Sequence, residues 1–170
     1  LYHQTAAYYL KDSDVLGANY GTKFFKNEDE AKMTISFDKE ESLSSASIAF
    51  KYYDNNSNSN SETDNLYLTI TVNDYEIYSG AALDGDNYIQ FFEQTDIKDY
   101  MCSVTAACEE NQIVFKLYAH PDEGSVNVYS KKFIYIWDID IAINGSSLSK
   151  DDLRKTYATK EYEGSGYTYN

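Results

Sequence analysis

Apolar residues recur at every second position along much of this chain, and that spacing demands strands. Met33, Ile35 and Phe37 alternate with Lys32, Thr34 and Ser36, and Ala46, Ile48, Phe50 and Tyr52 alternate with Ser45, Ser47, Ala49 and Lys51. Successive strand side chains point to opposite faces, so each such run offers one face to a core and one to water. Leu66, Leu68, Ile70 and Val72 make a third run with Tyr67, Thr69 and Thr71 on its reverse, and Val72-Asn73-Asp74-Tyr75 reads as a tight turn into a hairpin partner over Tyr75–Tyr78. The longest run is Phe133–Ile143, where Phe133, Tyr135, Trp137, Ile139, Ile141 and Ile143 are expected to share the inward face opposite Asp138 and Asp140, with Trp137 in the core. Asn87–Phe92, Ile113–Tyr118 and Ser125–Tyr129 are shorter candidates between Gly, Asn, Asp or Pro punctuation.

Helical periodicity is nearly absent. Thr95–Met101 has room for one turn, and Ser149–Tyr157 is predicted as a short C-terminal helix with Ser149 as N-cap and Asp151 and Asp152 in its first turn. Asp54–Asp64 holds no apolar residue and reads as an exposed connection. Many short strands with frequent turn signals and no internal repeat predict an all-β antiparallel sandwich. Residues 1–163 form the single domain and 164–170 a frayed tail.

Charge narrows the function classes. The chain carries 28 Asp and Glu against 14 Lys and Arg, a net charge of −14, and Arg154 is its one arginine. Affinity for a phosphate backbone comes from many Lys and Arg contacts that release counterions, so nucleic acid is excluded as a partner. No apolar run reaches the roughly 20 residues of a spanning helix, so membrane insertion is not expected. Cys102 and Cys108 close a short loop if the compartment is oxidising and stay as two free thiols otherwise. Zinc is not expected, because tetrahedral sites take four thiolate or imidazole ligands at recognisable spacing and only His3 and His120 accompany the two cysteines.

Catalysis finds little support. His3 lies near the terminus, His120 stands beside Pro121 in a turn, and neither accompanies a nucleophile-elbow motif. Gly164-Ser165-Gly166 belongs to the tail and makes no phosphate loop. The chain therefore reads as no enzyme.

Asn19-Tyr20-Gly21-Thr22 lies within a stretch, Tyr9–Phe37, that resembles the opening of secreted sandwich domains of the DNRLRE and disaggregatase-related type. In those domains an Asn-Tyr-Gly turn precedes a strand like Ala31–Asp38. Ser45–Tyr53 is similar to their next strand, Thr95-Asp96-Ile97-Lys98-Asp99-Tyr100 to their crossing segment, and Gln112–Tyr118 to the strand that follows. The arginine-containing motif that ends the family pattern is replaced here by Tyr129-Ser130-Lys131-Lys132. The resemblance extends to galactose-binding-like jelly rolls, many of them carbohydrate-binding modules of extracellular proteins. It implies that architecture and a secreted or cell-surface location, in a monomeric module of a larger chain.

Sugar recognition of that kind uses aromatic rings against pyranose faces and polar side chains against hydroxyls. The outward registers supply Lys51, Tyr53, Tyr67, Thr69, Gln90, Lys116, Tyr118, Asn127 and Tyr129 as a candidate ligand-binding surface. The plain alternative is tyrosines that only cover sheet surface, as β-favouring residues do. Calcium, which takes six to eight oxygens, has candidate ligands in Asp12, Asp14 and Asn19 near the first turn and in Asp84 and Asp86 of Ala82–Asn87. The favoured function is a non-catalytic module that binds neutral polysaccharide. Its rivals are an extracellular adhesin or protein-interaction domain, whose aromatic patch meets a protein partner, and a structural spacer.

Overall fold

A computed structural model describes residues 14–17, 30–54, 66–81, 90–102, 108–119, 133–163 and 166–169. They form strands β1 (Asp14–Gly17), β2 (Glu30–Asp38), β3 (Ala46–Asp54), β4 (Leu66–Val72), β5 (Tyr75–Ala81), β6 (Gln90–Asp96), β7 (Glu110–Ala119), β8 (Phe133–Ile143), β9 (Ser146–Ser147), β10 (Arg154–Glu163) and β11 (Gly166–Tyr169). The first sheet runs β1-β8-β3-β6, with β9 also paired to β8, and the second runs β11-β10-β2-β7-β4-β5. Every pairing is antiparallel. The all-β antiparallel expectation is thus met. The expected strand at Ser125–Tyr129, the Asn19-Tyr20-Gly21-Thr22 turn and nearly all of the Asp54–Asp64 connection lie outside the described residues.

One apolar cluster takes a face from each sheet. Met33, Ile35 and Phe37 of β2, Leu68, Ile70 and Val72 of β4, and Ile113, Phe115 and Leu117 of β7 meet Ala46, Ile48 and Phe50 of β3 and Ile136, Ile141 and Ile143 of β8. Phe50 reaches Phe115 edge-to-face across the sheets at 5.3 Å and stacks on Phe92 beside it at 4.6 Å. Burying a side chain of this size contributes about 1.5–3 kcal/mol. The alternation therefore predicts the inward faces of β2, β3 and β4 correctly.

In β8 the strict alternation fails. Ala49 pairs with Asp140 but Lys51 with Trp137, so Asp138 and Ile139 together oppose Phe50, and Asp138 takes a positive φ of 49°. This bulge inverts the parity: Ile136 is buried along with Ile141 and Ile143, and position 137 falls opposite Lys51. Ile141 and Ile143 are buried as the alternation expects, and Ile136 joins them from the even register; the side chains of Phe133, Tyr135 and Trp137 lie outside the described residues. β6 carries a matching irregularity, where Glu93 and Gln94 lie between the partners of Ile48 and Phe50. Strand β3 thus runs between two bulged neighbours at one level.

The predicted C-terminal helix is a single 3-10 turn, Lys150–Asp152, followed by β10. Ser149 stands at its N-cap as expected, and its amide and Oγ both donate to Asp152 Oδ2. Arg154–Lys160 then pairs with Ser36–Glu30, because the free edge of β2 offers a ladder to a segment rich in Thr and Tyr. Part of the expected tail is also strand, since Gly166–Tyr169 pairs with Glu163–Lys160.

Candidate functional site

The nine positions singled out from sequence fall on both sheets. Lys51 and Tyr53 lie in β3 and Gln90 in β6, whereas Tyr67 and Thr69 lie in β4 and Lys116 and Tyr118 in β7. Asn127 and Tyr129 lie outside the described residues. The second-sheet positions are direct neighbours, Tyr67 opposite Tyr118 and Thr69 opposite Lys116. Gln90 pairs with Tyr52, which packs against the core, so it does not share a register with Lys51. Because the two sheets bury their facing sides against each other, the seven described positions do not make one surface.

The outer face of the first sheet has the more elaborate geometry. Lys51 stands between Phe91 of β6 and Trp137 of β8 in register, its Nζ 2.8 Å from Asp138 Oδ2 and 5.7 Å from the Phe91 ring centre. The Phe91 ring is 65% exposed. Two steps along β3, through Ala49, lead to Ser47, about 14 Å away at 3.4 Å per residue. There the face opens into a basin of about 550 Å³ whose lining includes Ser47, Gln94, Asp96, Lys98, Asp140 and Ser147.

Small side chains make the basin. Ser47 and Ala142 are cross-strand partners, and Ser147 continues that row through Ala142. Taller polar groups surround them. Gln94 Nε2 donates to Ser47 Oγ at 3.0 Å, Ser147 Oγ donates to Asp140 Oδ1 at 2.6 Å, and the Lys98 amide donates to Asp96 Oδ1 at 3.0 Å. One wall is a serine loop held by Asn144. Its Oδ1 accepts from the amide of Ser44 at 2.6 Å and its Nδ2 donates to the Ser42 carbonyl at 2.8 Å. Asn144 at φ 53° and Gly145 at φ 84° form the tight turn that presents this amide.

Of the groups on this face, sequence reasoning named Lys51 but not Phe91, Asp138 or the basin side chains. A signal existed for Phe91: neighbours on a strand point to opposite faces, so one of Phe91 and Phe92 must face outward. None existed for Asp138, whose direction follows from the bulge. Cys102 and Cys108 are joined as a disulfide, with Cα atoms 6.1 Å apart.

Of the calcium candidates, Asp14 lies in β1 opposite Ile136, while Asp12, Asn19, Asp84 and Asp86 lie outside the described residues. Among the described residues no group of three or more His, Cys, Asp or Glu side chains is placed to hold a metal. Both histidines lie outside them too. The basin thus offers hydroxyls, an amide, carboxylates and an ammonium group, a mixture of donors and acceptors suited to a polyhydroxylated ligand. Compared with protein-family models, curated proteins and solved structures, the chain matches none.

Proposed function

We propose that the chain is a non-catalytic carbohydrate-binding module of a secreted or cell-surface protein, built as a galactose-binding-like jelly roll. The observation that carries the reading is the shared outer face of the first sheet, where the exposed Phe91 ring beside the Lys51–Asp138 pair leads along β3 into the polar basin. A flat exposed ring provides stacking area, and the basin groups meet hydroxyls. The charge of −14 disfavours uronate-rich chains, so neutral glucan, mannan or xylan is the assigned ligand class. The Cys102–Cys108 disulfide is consistent with an oxidising compartment. Calcium near Asp12, Asp14 and Asn19 or near Asp84 and Asp86 enters as a structural ion only.

Affinity electrophoresis against soluble neutral polysaccharides tests the proposal. Wild-type chain is expected to be retarded by at least one of them, and Phe91→Ala and Gln94→Ala to lose most of that retardation. Unretarded migration on every gel rejects it. Repeating the gels with chelator tests calcium, because unchanged binding and melting temperature remove the ion from the scheme.

A further inference from the structure

The end of the molecule at the β4–β5 turn carries a second aromatic feature, independent of the sheet face. Tyr75 opens β5 directly after the Asn73-Asp74 turn, and its ring stacks on Tyr100 with centres 5.3 Å apart and planes inclined by 28°. Tyr75 nevertheless remains 60% exposed. Tyr100 supports the ring while much of it stays open to solvent.

The support is rigid, although the two rings come from separate segments. Asn73 and Asp74 adopt φ of 48° and 70°, the left-handed pair that a two-residue hairpin turn requires. Asn73 Nδ2 donates to the Tyr100 carbonyl at 2.8 Å, which ties the turn to the 3-10 turn Lys98–Tyr100. Two residues on, the Cys102 amide donates to the buried Asn111 side chain at 2.7 Å, and Cys102 is held by the disulfide. A ligand meeting Tyr75 therefore finds it already ordered, which reduces the entropic cost of binding.

Charge selects the ligand. Asp74 and Glu76 flank Tyr75, and Asp99 precedes Tyr100; all three are exposed, and none is in an ion pair among the described residues. Lys98 is the cation in the same short turn. An aromatic face attracts a guanidinium through its quadrupole, and adjacent carboxylates accept the guanidinium's forked donors. We propose that the Tyr75–Tyr100 stack is a recognition site for an arginine side chain presented by a basic peptide segment of a partner protein.

The test follows the tyrosine ring signals of the intact chain by NMR during titration with a blocked glycine-arginine-glycine peptide. Parallel titrations use the matching glutamate peptide and a neutral hexasaccharide. The arginine peptide is expected to shift the Tyr75 and Tyr100 signals and the glutamate peptide to leave them in place, with the response weakening at high salt. Affinity is expected to fall about two- to fivefold in Tyr75→Leu, which keeps an apolar side chain but no ring, and similarly in the Asp74→Asn, Asp99→Asn double variant. Unmoved ring signals, equal affinity in Tyr75→Leu, or an equal response to the glutamate peptide overturns the proposal. Ring shifts caused by the hexasaccharide without any by arginine also overturn it. Loss of this site leaves polysaccharide retardation through Phe91 unaffected, so the two readings fail separately.

Discussion

Asn73 donates from its side-chain amide to Oδ1 of Asn111 at 2.9 Å, joining the tip of the β4–β5 hairpin to the start of β7. Asn111 is 1% exposed, and the same oxygen accepts the Cys102 amide at 2.7 Å. Three segments distant in sequence thus meet on one buried acceptor. Buried polar groups left without partners are costly, so the stability of this end depends on that oxygen.

Asn111→Ala removes the acceptor and leaves the Cys102 amide without it. A loss of about 1–3 kcal/mol in urea denaturation is expected. Asn73→Gly, which tolerates the positive φ but lacks the amide, is expected to destabilise the chain less. Wild-type stability of Asn111→Ala contradicts the role given to the network.

Asp138 allows a backbone test of the β8 bulge. Its φ of 49° is strained for a β-branched residue, so Asp138→Val is expected to cost about 1–2 kcal/mol. Asp138→Gly relieves the backbone and loses only the ion pair with Lys51, whose side chains are 37% and 61% exposed and whose worth is about 0–1 kcal/mol. Valine less stable than glycine in chemical denaturation is the predicted order, and the reverse order argues against the bulge.

Acid should weaken the β2–β7–β10 junction. Arg154 lies 3.1 Å from Asp38 and 2.8 Å from Glu110. Its hydrogen bond, followed by one from Gln112, holds the Glu110 carboxyl below its ordinary value of 4.5. A carboxyl whose folded value is lowered stabilises the fold above its ordinary value, and that contribution is lost as pH falls through the folded one. Melting temperature is therefore expected to decline as pH drops below 4.5, and to decline less in Glu110→Gln. Superimposable profiles for the two proteins count against this contribution. The junction is solvent-exposed, so the difference is small.

Reduction of the Cys102–Cys108 disulfide opens a loop with a sequence separation of 6. Chain entropy assigns a loop this short about 2 kcal/mol. Thermal melts with and without reductant are expected to differ by roughly 4–8 °C for a chain of this size. A Cys102→Ser, Cys108→Ser variant should melt with the reduced protein, and should lose its sensitivity to reductant.

The inward faces of β2, β3 and β4 were legible because local alternation and core burial agree there: Met33, Ile48 and Leu68 are all fully buried. The Asn73-Asp74 hairpin and the single turn at Lys98–Tyr100 were legible for the same local reason, turn chemistry acting within a few residues. Lys51 was named from sequence, yet its neighbours Phe91 and Asp138 on the same face were not. Tyr67 and Tyr118, named in the same set as Lys51, are cross-strand partners in the other sheet.

By itself the chain determined that it would form antiparallel strands and which residues of most strands face inward, since period-two patterning acts through nearest neighbours. Tertiary structure decided the parity of β8, because a bulge at Asp138 exists only relative to the partner strand β3 that it opposes. It also turned Arg154–Glu163 into a strand, since the edge of β2 supplied hydrogen-bond partners that an isolated helix could not match. Which outward side chains share a surface depends on strand order in each sheet, and strand order is set by long-range pairing and packing.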